Sequence, residues 1–122
     1  MVKPKTLLLV EDDRVLLDLN KRVLTREGFL VLVAQTFDEA REAVEKDDPQ
    51  AIVLDGELPD GDIFDFCREL REAINVPIVF LTRLKGKEYE KAVYAAGADA
   101  YITKPYHTGH LADSIETLLA RR

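Results

Sequence analysis

Ala51-Ile52-Val53-Leu54-Asp55-Gly56-Glu57-Leu58-Pro59-Asp60 joins an uninterrupted apolar run to an acidic, turn-forming segment. Successive apolar residues without polar alternation suit a strand covered on both faces, as in the middle of a parallel sheet. A carboxylate ending such a strand lies at the sheet's carboxyl edge, where open α/β sheets gather their functional groups. Other apolar runs end alike: Leu7-Leu8-Leu9-Val10 in Glu11-Asp12-Asp13, Ile78-Val79-Phe80-Leu81 in Thr82, and Ala100-Tyr101-Ile102-Thr103 in Lys104-Pro105.

Working outward, the spacing predicts strands at 6–10, 29–33, 51–54, 77–81 and 99–102, and helices at 14–26, 38–46, 63–73, 86–96 and 108–120. Val15, Leu16, Leu19, Val23 and Leu24 recur at helical spacing, and Gly28 follows where the chain must leave the helix. Ala40, Ala43 and Val44 give the second helix a weaker stripe, ended by Asp47-Asp48-Pro49. Ile63, Phe64, Phe66, Cys67 and Leu70 mark the third helix, Gly97 closes the fourth, and Leu111, Ile115, Leu118 and Leu119 mark the fifth. Alternating βα units with right-handed crossovers give an α/β fold, one doubly wound parallel sheet with helices on both faces. With no internal linker or repeat, one domain over 1–122 is expected. Leu118-Leu119-Ala120-Arg121-Arg122 reads as a helix end that either closes the chain or leads into a linker to an effector domain.

The 122 residues, 47% hydrophobic, supply a core for one domain. With 17 Lys and Arg against 23 Asp and Glu, net charge −6, no basic stripe is available to neutralise a row of phosphates, so nucleic acid is not expected as a direct partner. Lys85, Lys87 and Lys91 are interrupted by acids and read as a solvated helix face. No apolar segment approaches the roughly 20 residues that span a bilayer, and no secretory signal is evident, so a cytoplasmic location is expected. A single cysteine, Cys67, permits neither an internal disulfide nor a multi-cysteine metal site, and reads as a small packed hydrophobe.

If the first and third strands are neighbours, Glu11, Asp12 and Asp55 face one crevice, where their repulsion calls for a cation. A few carboxylates with room for water and phosphate oxygens suit Mg²⁺. The competing reading is that Glu11, Asp12 and Asp13 cap the following helix, and it suits Asp13 best. Asp55 is placed to accept a phosphoryl group as an aspartyl phosphate, with Thr82 donating a hydrogen bond to one phosphoryl oxygen and Lys104 neutralising another. Singly, each has an ordinary explanation: strands often end in polar residues, and a lysine before proline usually faces solvent.

The run Leu9-Val10-Glu11-Asp12-Asp13, the segment Val53 to Asp60, Leu81-Thr82, and Gly97-Ala98-Asp99-Ala100-Tyr101-Ile102-Thr103-Lys104-Pro105 resemble the receiver domain of bacterial response regulators over essentially the whole chain. The resemblance implies a flavodoxin-like (βα)5 fold with strand order 2-1-3-4-5. It implies a two-component signalling domain, phosphorylated on Asp55 by a sensor histidine kinase or phosphotransfer protein, with no enzymatic activity beyond its own phosphorylation and dephosphorylation. Glu11 and Asp12 match the family's acidic pair, Glu57 falls where a backbone carbonyl reaches the metal, and Thr82 and Tyr101 fall at the switch positions. Output to a downstream domain or protein then passes through the fourth helix, fifth strand and fifth helix.

Departures from the family's pattern are instructive. Ile63 stands where glycine is usual, and because a β-branched residue disfavours positive φ, a different loop path is expected. Arg83 stands where a small residue usually leaves the site open. Arg83 and Glu57 flank Asp55 with opposite charge, so a bidentate guanidinium–carboxylate lid is one expectation, solvated independent side chains a second, and direct phosphate binding by Arg83 a third. Ala100 and Ser114 replace an aspartate and an arginine expected in receivers of winged-helix regulators, so any homodimer should be weak. Two other functions compete: a phosphorylation-independent interaction module, suggested by Ile63 and Arg83, and an aspartyl-phosphate phosphatase of the haloacid-dehalogenase type, suggested weakly by Asp55-Gly56-Glu57.

Overall fold

Each apolar run forms a strand in the computed structural model, which describes residues 3–121; the outermost residues of the expected 1–122 domain lie outside it. The order is β1 (Thr6–Val10), α1 (Arg14–Arg26), β2 (Leu30–Ala34), α2 (Phe37–Asp47), β3 (Ala51–Asp55), α3 (Ile63–Ala73), β4 (Ile78–Thr82), α4 (Lys87–Ala95), β5 (Ala100–Thr103) and α5 (Thr108–Ala120). All neighbouring strands are parallel, in the order β2-β1-β3-β4-β5. No helix among the described residues is long and apolar enough to cross a membrane.

Strand ends differ from the sequence reading in one direction. β2, β4 and β5 each lie one residue later than expected, and β3 continues through Asp55. Apolar texture stops at a polar side chain, but backbone pairing does not: Asp55 still pairs with Leu81, and Thr82 with Thr103. Phe29, expected in β2, instead helps close α1, its amide donating to the Leu24 carbonyl past Gly28 at φ +102°.

The pleat sorts side chains between two cores. Leu8, Val10, Ile52, Leu54, Ile78 and Phe80 face α2, α3 and α4, where Phe66 stacks on Phe37 at 4.0 Å. Leu7, Leu9, Ala51, Val53, Val79 and Leu81 face α1 and α5. By the period of two, Asp55 continues the second set and Thr82 the first, so the two side chains belong to opposite faces and meet only across the sheet's edge.

The predicted face of α1 is corrected. Leu17, Asn20 and Leu24 are buried, while Val15 is 77% and Leu19 46% exposed. Apolar residues occupy more than one face of this helix, and a polar residue hides the true one: Asn20 is buried because its amide donates to the Tyr106 hydroxyl at 2.7 Å. Ile63 is likewise the first, buried residue of α3, directly after the N-cap Asp62, and Asp48 is the one non-glycine residue at positive φ among the described residues. Ile63 therefore enters the helix without the positive φ that its branched side chain disfavours. Cys67 is fully buried, and burial pushes its thiol up to about 11.

Arg71 pins the end of α3 to the far side of α4. Its guanidinium donates to the Gly97 carbonyl at 2.8 and 3.0 Å, to the Val76 carbonyl at 2.8 Å and to Asp99 at 2.6 Å. Asp99 also accepts from the Ile78 amide at 2.9 Å, which fixes the start of β4. Arg71→Met keeps the stem but removes the guanidinium bonds to the Gly97 and Val76 carbonyls and leaves Asp99 with the Ile78 amide alone, and should lower the unfolding free energy by about 2 kcal/mol. Urea denaturation followed by circular dichroism measures it; an unchanged midpoint would mean that water replaces the guanidinium without loss.

Candidate functional site

Parallel register builds the site. Val10 pairs with Leu54, so the residues that follow, Glu11 and Asp55, emerge side by side at the carboxyl edge. Gly56 lets the chain turn at once: its amide donates to the Leu81 carbonyl at 2.6 Å, and a Cβ there would collide with the Phe80 ring. β5 brings Lys104, whose backbone amide donates to the Thr82 carbonyl at 2.8 Å and whose peptide bond to Pro105 is cis. Glu11, Asp12, Asp55, Glu57, Arg83 and Lys104 line one cleft.

Lys104 is not a solvent-facing lysine, since its side chain is 13% exposed. Its ammonium donates to Asp55 Oδ1 at 2.8 Å and lies 3.5 Å from Glu57 and 3.8 Å from Glu11. Burial works against that charge, but the bond to Asp55 and the surrounding carboxylates outweigh it and raise the Lys104 pKa. Glu11 and Asp55 are themselves buried, whereas Asp12 is exposed at the rim. Burial pushes the Glu11 carboxyl up from 4.5 to about 8, Asp55 reinforcing the shift and the Asp13 amide and Lys104 opposing it.

Glu11 Oε1 is buried without a hydrogen-bond partner. Oxygens of Glu11, Asp12 and Asp55 lie within 4.8 Å of one another. An orphaned acceptor in a set of hard oxygen ligands fits a divalent cation such as Mg²⁺. Asp13 takes the capping role, accepting from the Val15 amide at 3.0 Å and the Leu16 amide at 3.2 Å.

Glu57 and Arg83 do meet, but not as a guanidinium fork. Arg83 Nε donates to Glu57 Oε1 at 2.7 Å, while the Arg83 backbone amide donates to Oε2 at 3.2 Å. The backbone reaches the second oxygen first, leaving the rest of a side chain that is 75% exposed in solvent. Burial works to raise the Glu57 carboxyl, but these bonds and Lys104 hold it below its ordinary value.

Thr82 is buried, and its hydroxyl points away from Asp55. It donates to the Tyr89 hydroxyl at 3.3 Å and accepts from the Leu84 amide at 3.1 Å. Tyr101 is half-buried, its hydroxyl donating to the Leu84 carbonyl. Tyr89, between the two, was not singled out by the sequence reading; its one signal is an aromatic residue within the charged stretch Lys87-Glu88-Tyr89-Glu90-Lys91.

Fold and site together define a flavodoxin-like domain with a lysine-bridged acidic pocket at the carboxyl ends of β1, β3 and β5. The sequence model of the response regulator receiver domain matches residues 7–116, and the chain belongs to that family. It is 33% identical over 114 residues to the response regulator protein GraR of Staphylococcus haemolyticus, and 34% identical over 115 residues to that of Staphylococcus aureus. These alignments cover 93% and 94% of this chain but 51% of each relative, so the chain spans about half the length of those curated relatives. A putative response regulator from Chloroflexus aurantiacus superposes with a TM-score of 0.89 at 32% identity, covering 98% of this chain and 100% of that one. The BeF3-activated N-terminal receiver domain of Klebsiella pneumoniae RstA gives 0.88 at 30% identity, covering 94% and 98%.

The raised Glu11 carboxyl makes stability depend on pH. Below pH 4.5 folded and unfolded chains both carry the proton; between 4.5 and about 8 the folded chain holds it more tightly, so stability falls as pH rises through that window. In the absence of divalent cations the thermal midpoint should fall across this range, and Glu11→Gln should flatten the fall. Mg²⁺ should raise the midpoint most at the alkaline end, where the ligand is most readily deprotonated. An undiminished slope in Glu11→Gln would assign the dependence to other groups.

Proposed function

We propose that this protein is a phosphorylation-controlled switch, whose Asp55 accepts a phosphoryl group from a sensor histidine kinase or phosphotransfer protein in a Mg²⁺-dependent reaction. The observation that carries this reading is the Lys104 ammonium, 2.8 Å from Asp55 Oδ1 and beside the orphaned Glu11 oxygen. An Asp55 oxygen forms the bond to phosphorus as the bond from phosphorus to the donor breaks, and that electron pair leaves with the donor. Lys104, kept cationic, exchanges its carboxylate partner for a phosphoryl oxygen. Glu11, Asp12 and Asp55, with the Glu57 backbone carbonyl that the family resemblance adds, would hold Mg²⁺, which would supply charge neutralisation when bound. Thr82 must turn its hydroxyl from Tyr89 toward the new group, and Tyr101 answers by changing the surface of α4, β5 and α5 that a downstream domain or protein reads.

A protein donor is favoured by the rim. Leu16, Leu19, Pro105 and Tyr106 form an apolar groove that continues from Lys104 and Arg83, with Val15 exposed nearby on the same helix. Self-association is expected to stay weak, because Ala100 and Ser114 carry no charge and Asp99 is committed to Arg71. A phosphatase role is disfavoured, because Glu57 is tied to Arg83 and Lys104 rather than free to act as acid or base. The same tie favours a lid that slows entry and loss of the phosphoryl group, and a lid closed outright would make the chain a phosphorylation-independent module.

With Mg²⁺ and acetyl phosphate the chain should gain one acid-stable, base-labile phosphate, read by mass spectrometry. Asp55→Asn and excess chelator should each abolish it; undiminished phosphate in Asp55→Asn would place the chemistry elsewhere.

Arg83→Ala should accelerate phosphorylation by small donors and shorten the lifetime of the phosphate. Slower gain with faster loss would indicate that Arg83 binds the phosphate directly. Rates in Arg83→Ala, Glu57→Ala and the double variant give the coupling of the two side chains, the Arg83 backbone bond to Glu57 being retained in the first; additive effects would remove the lid.

A further inference from the structure

Thr82 has one hydroxyl proton, and in this structure Tyr89 takes it. The bond belongs to a closed circuit. Thr82 Oγ1 accepts from the Leu84 amide, the Leu84 carbonyl accepts from the Tyr101 hydroxyl, and the Tyr101 ring lies 6.3 Å from that of Tyr89, whose hydroxyl accepts from Thr82. The Tyr89 ring is held independently of its hydroxyl, edge-on to Phe64 at 5.4 Å and to Phe80 at 6.4 Å. Tyr89 thus offers Thr82 a fixed acceptor on the α4 side of the sheet, while the pleat puts Asp55 on the other side.

We propose that Tyr89 is a positioning residue for the phosphoryl switch, setting how readily Thr82 is released to the modified Asp55. The proposal rests on Asp55 as phosphoryl acceptor. A phosphoryl oxygen and the Tyr89 hydroxyl compete for the same proton, so the Thr82–Tyr89 bond must break for the phosphoryl–Thr82 bond to form. Turning Thr82 toward the phosphoryl group leaves the Tyr89 hydroxyl without its donor and carries Oγ1 away from the Leu84 amide, which loosens the start of α4 together with the Tyr101 contact. Release of Thr82 and change of the output face are in this way one event, and Tyr101 communicates with Thr82 through an intervening ring and loop rather than directly.

Tyr89→Phe keeps the ring and deletes the acceptor. In the unmodified chain, scalar couplings of the Thr82 methyl should report one rotamer in wild type and rotamer averaging in Tyr89→Phe. With Mg²⁺ present, BeF3⁻ should bind Tyr89→Phe roughly five-fold more tightly, the factor for one modest hydrogen bond. The gain should vanish in a Thr82→Ala background, a result that general loosening of the core would not produce. Unaveraged couplings with unchanged BeF3⁻ affinity in Tyr89→Phe would overturn the proposal, as would an equal gain in Thr82→Ala. Failure of wild type to bind BeF3⁻ would instead overturn the phosphoryl-acceptor reading, which the wild-type titration distinguishes from a failure of Tyr89.

Discussion

One buried ammonium holds the carboxyl edge of the sheet together. Glu11, Asp55 and Glu57 crowd within 4 Å of Lys104, and without it their repulsion would oppose the pairing of β1 with β3 that brings the first two together. Charge is incompletely matched: one lysine faces three acids, with Asp12 at the rim. Burial, reinforced by the neighbouring Asp55, pushes the Glu11 carboxyl up, and one of its oxygens is left orphaned. A buried ion pair of this kind is weak evidence for stability, and is better understood as a site whose ground state is left wanting positive charge.

The second constraint is the period of two along a strand. Asp55 and Thr82 end adjacent strands but project toward different cores. Thr82 therefore has two possible sets of partners, one on each side of the sheet's edge. On the proposed function, that separation is what would let Thr82 change partners when Asp55 is modified.

The fold was legible because each strand is an apolar run with a polar end, and the order of those ends placed Glu11, Asp12, Asp55 and Lys104 at one edge. What was hidden shares a physical cause, dependence on tertiary placement. Asn20 is polar but buried because Tyr106, far along the chain, partners it. The α1 stripe misled because apolar residues on a second face, Val15 and Leu19, have the same helical spacing as a core-facing set. Arg83 and Glu57 were recognisable as opposite charges on adjoining loops, yet the second bond comes from a backbone amide that no residue-type reasoning selects. Tyr89 gains its meaning only once α4 is laid against β4.

The two ends of α4 are held unequally. Its first turn follows Gly86 at φ +119° with no side-chain cap, whereas its last turn runs into Gly97, whose carbonyl takes two bonds from Arg71. With no side-chain cap, the first turn is seated by Tyr89, through its ring contacts with Phe64 and Phe80 and its bond to Thr82, so the helix resembles a lever pinned at its C-terminal end. On the proposed function, loss of the Thr82 bond to Tyr89 would swing the Lys87 end more than the Gly97 end, and a bound partner would sense a change of angle rather than a translation.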